Sequence, residues 1–380
     1  MPSVLIASFT YLPEANGVAH VAAKQAHGLR ARGWDVTVAT CVLPGGPSEI
    51  EGIPIRRFAC NGTGRVGDPF RGDVAGYLAE TKRHDVVITH SLQSWPSHLA
   101  ADHRPQIPAK LVLFSHGVSV NLRAEGMKGL ARWLAFRPMV ARLPATLRAF
   151  DHRFFLANRQ DSDRFLDYAI TKKRQLSASV IPNGADTELS RGNREAFRET
   201  HALGDRPVVL YVANFSSLKN QARAIKVFSE ATYQRDATLV LIGNSHNDYS
   251  EGLKQGLTGL NAPDVRWITG LSRAQIGDAY ATADIFIMTS VTEVQPLVLL
   301  DAMAVGVPWV GTAVGGVPAL PGGIAGHSDA ELTAALRGYL EDVSRRTRDG
   351  AAGMAAVAQI YNWGAHADSL DTQLRTLIAN

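Results

Sequence analysis

Cysteine is almost missing from this chain: Cys41 and Cys60 are the two among 380 residues. So sparse a pair gives no metal-ligand spacing, and a chain of this size needs no disulfide to fold, so a reducing compartment fits. Long apolar runs are missing as well. No window approaches the roughly 20 uninterrupted apolar residues of a membrane span. The opening MPSVLIASFTYLPEANG has neither the basic leader nor the long apolar core of a signal peptide and reads as a first strand. A cytoplasmic location is therefore expected. Charge excess is also lacking, with a net of +4 and charged residues at 19%. No basic run is dense enough to call for nucleic acid, which leaves anionic small substrates or an acidic membrane surface as partners. Repeats and low-complexity tracts are absent.

What is present is globular. Hydrophobic residues make up 46% of the chain, and its length suggests about two or three domains. Short continuous apolar runs, the mark of buried parallel strands, recur at 4–8, 34–40, 53–59, 85–89, 110–114, 153–157 and 179–181, then at 207–213, 238–243 and 265–270. Helical spacing separates several of them, over 18–32 and 222–232 among others, so the order is βαβ and the class is α/β with doubly wound sheets. A polar helix is expected over 191–201, a peripheral one over 331–342 and a terminal one over 366–378. Over 127–150 apolar residues interleave with Lys128, Arg132, Arg137, Arg142 and Arg148. That stretch is read as helical pieces broken at Pro138 and Pro144 and packed over the sheet, with peripheral membrane contact as the other reading.

The chemistry concentrates in Thr289 to Gly316, TSVTEVQPLVLLDAMAVGVPWVGTAVGG. The strand ADIFIMTS runs into it, Glu293 lies in the loop, and Pro296 suits the first turn of a helix over Leu297–Val305 that Gly306 ends. Asp301 falls in the second turn. Two carboxylates can accept hydrogen bonds from several hydroxyls, and a helix N-terminus near Gln295, Pro296 and Leu297 suits a phosphate. Hydroxyls and phosphate held together suggest a nucleotide sugar. Asp161 and Asp163 form an Asp-x-Asp string. It is placed in a helix's first turn, where acids complement the dipole, so no metal site is assigned.

This stretch resembles the retaining glycosyltransferases of the GT4 type, whose mark is Glu, seven residues, Glu, then a small-residue helix and a Gly-rich strand turn. Here the second acid is Asp301. The resemblance implies the GT-B fold, two Rossmann-like doubly wound domains facing a central cleft. Residues 1–186, completed by the terminal helix 362–380, would form the acceptor-side domain, and 187–361 the nucleotide-sugar-binding domain. Pro182-Asn183-Gly184-Ala185-Asp186 is similar to the family's link between domains. The implied activity moves a sugar from a nucleotide-sugar donor, a UDP-sugar ahead of a GDP-sugar, to an acceptor hydroxyl with retention. Neither a metal nor another cofactor is implied.

The resemblance also carries residue roles. His116, in Ser115-His116-Gly117 after a strand, would contact the donor sugar, with His90 at another strand end competing for that part. Asn16 and Gly17 stand where the family usually has two glycines near the diphosphate. Lys219 would pair with the diphosphate, while Asn214 stands where the family has arginine. Leu271 lies in the base-contacting turn, Glu293 would hold sugar hydroxyls, and Asp301 would reach the ribose. His116, Lys219 and Glu293 make the catalytic set, and the donor's leaving phosphate would take the acceptor proton. The departures at Asn214, Asp301 and the single Gly17 leave open a non-catalytic nucleotide-sugar-binding paralogue. An inverting transferase or a sugar-nucleotide epimerase is the remaining alternative.

Overall fold

A computed structural model describes residues 1–14, 16–62, 68–118, 126–158, 165–232, 236–257 and 263–380, with the side chains of 126–133, 135 and 190 outside the description. The Asp-x-Asp string at 161 and 163 falls outside the described residues. The chain forms two compact units, Met1–Pro182 with His366–Asn380, and Asn183–Ala365. Among the described residues no helix is long and apolar enough to cross a membrane.

The first unit contains β1 (Ser3–Ala7), α1 (Gly17–Arg30), β2 (Asp35–Cys41), β3 (Glu49–Ile50), β4 (Ile53–Phe58), α2 (Val74–Thr81), β5 (Val86–His90), α3 (Trp95–Asp102), β6 (Lys110–Ser115), α4 (Gly126–Arg148), β7 (His152–Phe155), α5 (Leu166–Lys173) and β8 (Ala178–Val180). Its eight-stranded sheet runs β3-β4-β2-β1-β5-β6-β7-β8. Every pairing is parallel except β3 with β4. The order reverses between β1 and β5, the place where such sheets open a crevice beyond their strand ends. One face packs Leu5, Ala7, Leu111 and Leu113 against Tyr77, Trp95 and Leu147.

The 127–150 stretch corrects the sequence reading. It is one continuous helix with Pro138 and Pro144 inside it. Each proline removes one backbone donor, yet Phe136, Met139, Leu143 and Leu147 form a buried stripe at helical spacing that holds the helix to the core. Arg137, Arg142 and Arg148 are exposed. Beyond its last turn, the buried Arg153 guanidinium donates to the Leu147 and Phe150 carbonyls, satisfying groups that the helix end leaves open.

The second unit contains α6 (Arg194–Thr200), β9 (Val208–Val212), α7 (Gln221–Ala231), β10 (Thr238–Gly243), α8 (Asp248–Gly256), β11 (Val265–Thr269), α9 (Arg273–Thr282), β12 (Ile285–Met288), α10 (Leu297–Val305), β13 (Trp309–Thr312), β14 (Gly323–Gly326), α11 (Asp329–Glu341) and α12 (Val343–Gln359). Its six-stranded sheet is parallel in the order β11-β10-β9-β12-β13-β14, reversing between β9 and β12. The last helix, α13 (Trp363–Ala379), belongs to the first unit from His366 onward. It lies close on α1, where a Cβ on Gly28 would meet the Ala367 Cβ at 2.7 Å. Trp34 Nε1–H also donates to Asp371 at 2.6 Å.

Candidate functional site

In the second unit the reversal of strand order brings together two loops far apart in sequence. One follows β9 and carries Asn214 and Lys219; the other follows β12 and carries Glu293. Thr289 Oγ1 donates to the Asn220 carbonyl at 2.8 Å, and the Val291 N–H donates to the Leu218 carbonyl at 2.8 Å. Tyr211, buried under both, donates its hydroxyl to the Lys219 carbonyl at 2.5 Å and lies 3.2 Å from Ser290 Oγ. Lys219 Nζ reaches Glu293 Oε1 at 2.6 Å, with the lysine side chain 36% exposed and the glutamate 12%. Asn214 is exposed at the mouth of its loop.

The Glu293 loop is also held from below. The Gly316 N–H donates to the Val294 carbonyl at 2.7 Å. Gly315, at φ +55°, lies so near the Glu293 carbonyl that an added Cβ would sit 1.8 Å from its oxygen. Pro296 is the N-cap of α10 rather than part of its first turn, with φ −72° and ψ 122°, and no side chain caps the helix. With no acidic residue in its first turn, the Leu297 end of α10 presents the positive end of its dipole. Gly306 closes the helix at φ 79°, the left-handed stop that the sequence suggests.

Two expected donor contacts turn out to be engaged within the protein. Gln295 is buried; its Oε1 accepts the Asn183 N–H at 2.6 Å, and its carbonyl accepts from Asn183 Nδ2 at 3.3 Å. Asp301 is 4% exposed. Its Oδ1 accepts the Asp186 N–H at 3.0 Å and its Oδ2 accepts from Arg273 Nη2 at 3.2 Å. Arg273 also donates to Asp186 Oδ2 at 2.9 Å. The aspartate is one methylene shorter than the glutamate of the family motif. Leu271 is half-buried two residues before Arg273, after Gly270. Arg273 was not singled out from the sequence. The visible signal there was the Ser272–Gln275 capping box that starts α9.

The Arg273–Asp301 pair has a pH signature. Burial pushes the Asp301 carboxyl up to about 6, against the pull of Arg273 and the Asp186 N–H. Burial works against the Arg273 charge, but Asp301 and Asp186 outweigh it and hold its pKa above the usual value. Because the folded pKa of Asp301 exceeds its ordinary value of 3.8, its contribution to stability is complete below that value and is lost as pH rises through about 6. Removing the arginine raises the folded pKa further and deepens that loss. Arg273→Leu is therefore expected to cost about 1–3 kcal/mol at pH 7.5, discounted for its half-exposed side chain, and much less at pH 5. Urea unfolding at the two pH values checks it, and an equal cost at both would contradict the buried-charge account.

In the first unit, Asn16 caps α1, its Oδ1 accepting the Ala19 N–H at 2.9 Å, and Gly17 is the helix's first residue. His116 follows β6 in a turn fixed from behind by Asp167 of α5. That buried carboxylate accepts the Ser115 hydroxyl and, at 3.1 Å, the Val118 N–H. Ser115 Oγ in turn accepts the Gly117 N–H at 3.0 Å. His116 Nε2 lies 3.0 Å from His90 Nδ1, so the two histidines that competed on sequence grounds are partners. Asp167 also went unnoticed in the sequence, where it is one acid in a polar helix.

Two family models cover most of the chain: a glycosyl transferase 4-like domain over residues 16–184 and glycosyl transferases group 1 over 193–322. The chain belongs to the GT4-type group 1 glycosyltransferases. The second match contains both halves of the Lys219–Glu293 pair, and the first contains His90 and His116. A D-inositol 3-phosphate glycosyltransferase of Kineococcus radiotolerans is 30% identical over 216 residues, covering 50% of this chain and 49% of the relative. The chain thus matches about half the length of that relative. Sucrose-phosphate synthase from Thermosynechococcus elongatus superposes with a TM-score of 0.81 at 19% identity over 100% of both chains. Anabaena HepE in complex with UDP-glucose gives 0.74 at 18% identity over 99% of both. The fold is GT-B, as the family motif implied.

Proposed function

We propose that this GT4-type protein transfers a sugar from a nucleotide-sugar donor to an acceptor hydroxyl, with retention, in the assembly of a glycan, glycolipid or metabolite. The observation that carries the reading is the Lys219–Glu293 ion pair, which stands at the strand-order reversal beside the uncapped end of α10. An arriving diphosphate would draw Lys219 to itself and accept N–H groups of α10, stabilising charge as the leaving group departs. Glu293, released from the lysine, would then accept hydrogen bonds from sugar hydroxyls. Lys219 and the helix end supply the positive charge, so no metal is invoked. The leaving phosphate would take the acceptor proton, as the family resemblance implies. Leu271 would flank the base, and Arg273 with Asp301 would face the ribose.

A UDP-sugar is proposed ahead of a GDP-sugar, in line with the UDP-glucose in the HepE complex. Thermal melting with the UDP, GDP, ADP and dTDP sugars tests this. A ligand at one hundred times its Kd adds about 2.7 kcal/mol, a rise of several degrees for a domain of this size. The largest shift is expected with a UDP-sugar. A larger one with a GDP-sugar would reverse the base preference, and none with any donor would remove the nucleotide-sugar reading. The engagement of Asp301 by Arg273 and Asp186 favours one second reading, a binding protein without turnover. A donor shift unaccompanied by release of UDP from UDP-glucose, with or without acceptors, would select it.

A further inference from the structure

His90 has no part in the transfer as described, yet it is a fully buried titratable side chain in contact with His116. It ends β5 and pairs in register with Phe114 of β6, two residues before His116. The imidazole of His90 is 0% exposed and stacks on that of His116, centroids 5.3 Å apart and planes 29° from parallel. Burial first, then the neighbouring His116 and His366, hold its pKa well below the usual value. It is therefore neutral and carries one ring proton. Its Nε2 meets no acceptor among the described residues, whereas its Nδ1 faces His116 Nε2 at 3.0 Å. The proton belongs on Nδ1, where it is shared.

The next histidine supplies no competing proton. His366 Nδ1 lies 2.7 Å from the Pro182 carbonyl, which can only accept, so that nitrogen carries the hydrogen. Burial, against the pull of that carbonyl, takes the His366 pKa down to about 4. Its bare Nε2 then accepts from Gln25 Nε2 at 3.1 Å.

We propose that His90 is a positioning residue for His116. By donating Nδ1–H to His116 Nε2, it fixes the ring plane of His116 and places that residue's own proton on Nδ1. Protonating His116 at Nε2 would set two N–H groups against each other at 3.0 Å, so the contact favours the Nδ1–H tautomer of His116. A hydroxyl of the transferred sugar is the acceptor suited to that Nδ1–H. This last step rests on the reading that His116 contacts the donor sugar. The arrangement fixes the tautomer through a partner imidazole, just as a carboxylate or carbonyl fixes it elsewhere.

Two readouts test the proposal. In protein labelled with 15N-histidine, two-bond nitrogen–proton couplings should show His116 as the Nδ1–H tautomer in the wild type and largely as Nε2–H in His90→Phe. With UDP-glucose as donor, His90→Phe should lower kcat roughly 10–100-fold with KM within a few-fold, the cost of a misaligned contact. The amide of asparagine falls near the histidine Nδ1, so His90→Asn should restore both the tautomer and most of the rate, while His90→Gln should not. Melting curves confirm that each variant folds. A wild-type His116 in the Nε2–H form, or unchanged tautomer and kcat in His90→Phe, would overturn the proposal. Full activity in His116→Ala would instead remove the sugar contact, leaving the tautomer measurement to judge His90 alone.

Discussion

Lys219→Ala is expected to lower kcat/KM by tenfold to about a thousandfold, or roughly 1–4 kcal/mol, the range for loss of a charged contact that strengthens in the transition state. The loss should be larger than that of an ordinary half-exposed lysine for two reasons. Its amine lies 2.6 Å from Glu293 Oε1, so the mutant leaves a mostly buried carboxylate without its partner. In addition, Asn214 stands where the family resemblance has an arginine, and it can donate a hydrogen bond but brings no charge. Glu293→Gln keeps the shape and removes the charge. If Glu293 binds sugar hydroxyls that tighten as the glycosidic bond breaks, kcat should fall with donor KM little changed. The double variant separates the roles. Two groups acting on the ligand independently would give additive losses, whereas a pair poised on each other should lose less together than the sum. Steady-state rates with UDP-glucose, and melting curves to confirm folding, are the measurements. Wild-type kcat/KM in a folded Lys219→Ala would take the lysine out of the site.

Gly315→Ala should be nearly as damaging, although it touches no ligand. At φ +55° the position tolerates side chains poorly, and the new Cβ would lie 1.8 Å from the Glu293 carbonyl oxygen and 3.2 Å from that of Val294. The clash is with backbone, so no rotamer change relieves it; the Glu293 loop itself must move. A stability loss of about 1–3 kcal/mol is expected from the strained backbone alone, and displacement of Glu293 by an ångström should cost about a hundredfold in turnover. Gly252→Ala is the control. It lies within α8 with nothing within 4 Å of a new Cβ, so it should gain about 0.5–1 kcal/mol. Calorimetry and UDP release decide the matter, and wild-type melting and turnover in Gly315→Ala would show that the loop does not depend on the glycine.

Much of the fold was legible because buried parallel strands are written as unbroken apolar runs. The sequence marked β1, β2, β5, β6, β9, β10 and β12 within a residue or two of their ends. Edge pieces were not legible: β3 is two residues long and β14 is GIAG, too short or too small-residued to stand out. Helices α9 and α12 were missed for a related reason. The first is GDAYAT after a polar start, and the second is rich in arginine, alanine and glycine, so neither presents an apolar stripe. In α4 the sequence misled, because proline is a local penalty and the buried stripe that outweighs it depends on a surface supplied by the rest of the unit.

The sequence by itself determined the residue types and their local settings: an acid in a loop after a buried strand, a helix that opens with Pro296 and stops at Gly306, a lysine after β9, a histidine after β6. These depend on neighbours a few positions away, where backbone preference and periodicity act. Which of them meet was decided by the tertiary structure. Lys219 and Glu293 are 74 positions apart, with β10 and β11 between them in the chain. They face each other because β12 pairs with β9 and not with β11. Arg273 comes to Asp301 from α9, Asp186 from the segment before α6, and His90 to His116 across two paired strands. A charge or ring proton is set by whatever stands within a few ångströms. That is a property of strand order and burial, which no short stretch of the chain contains.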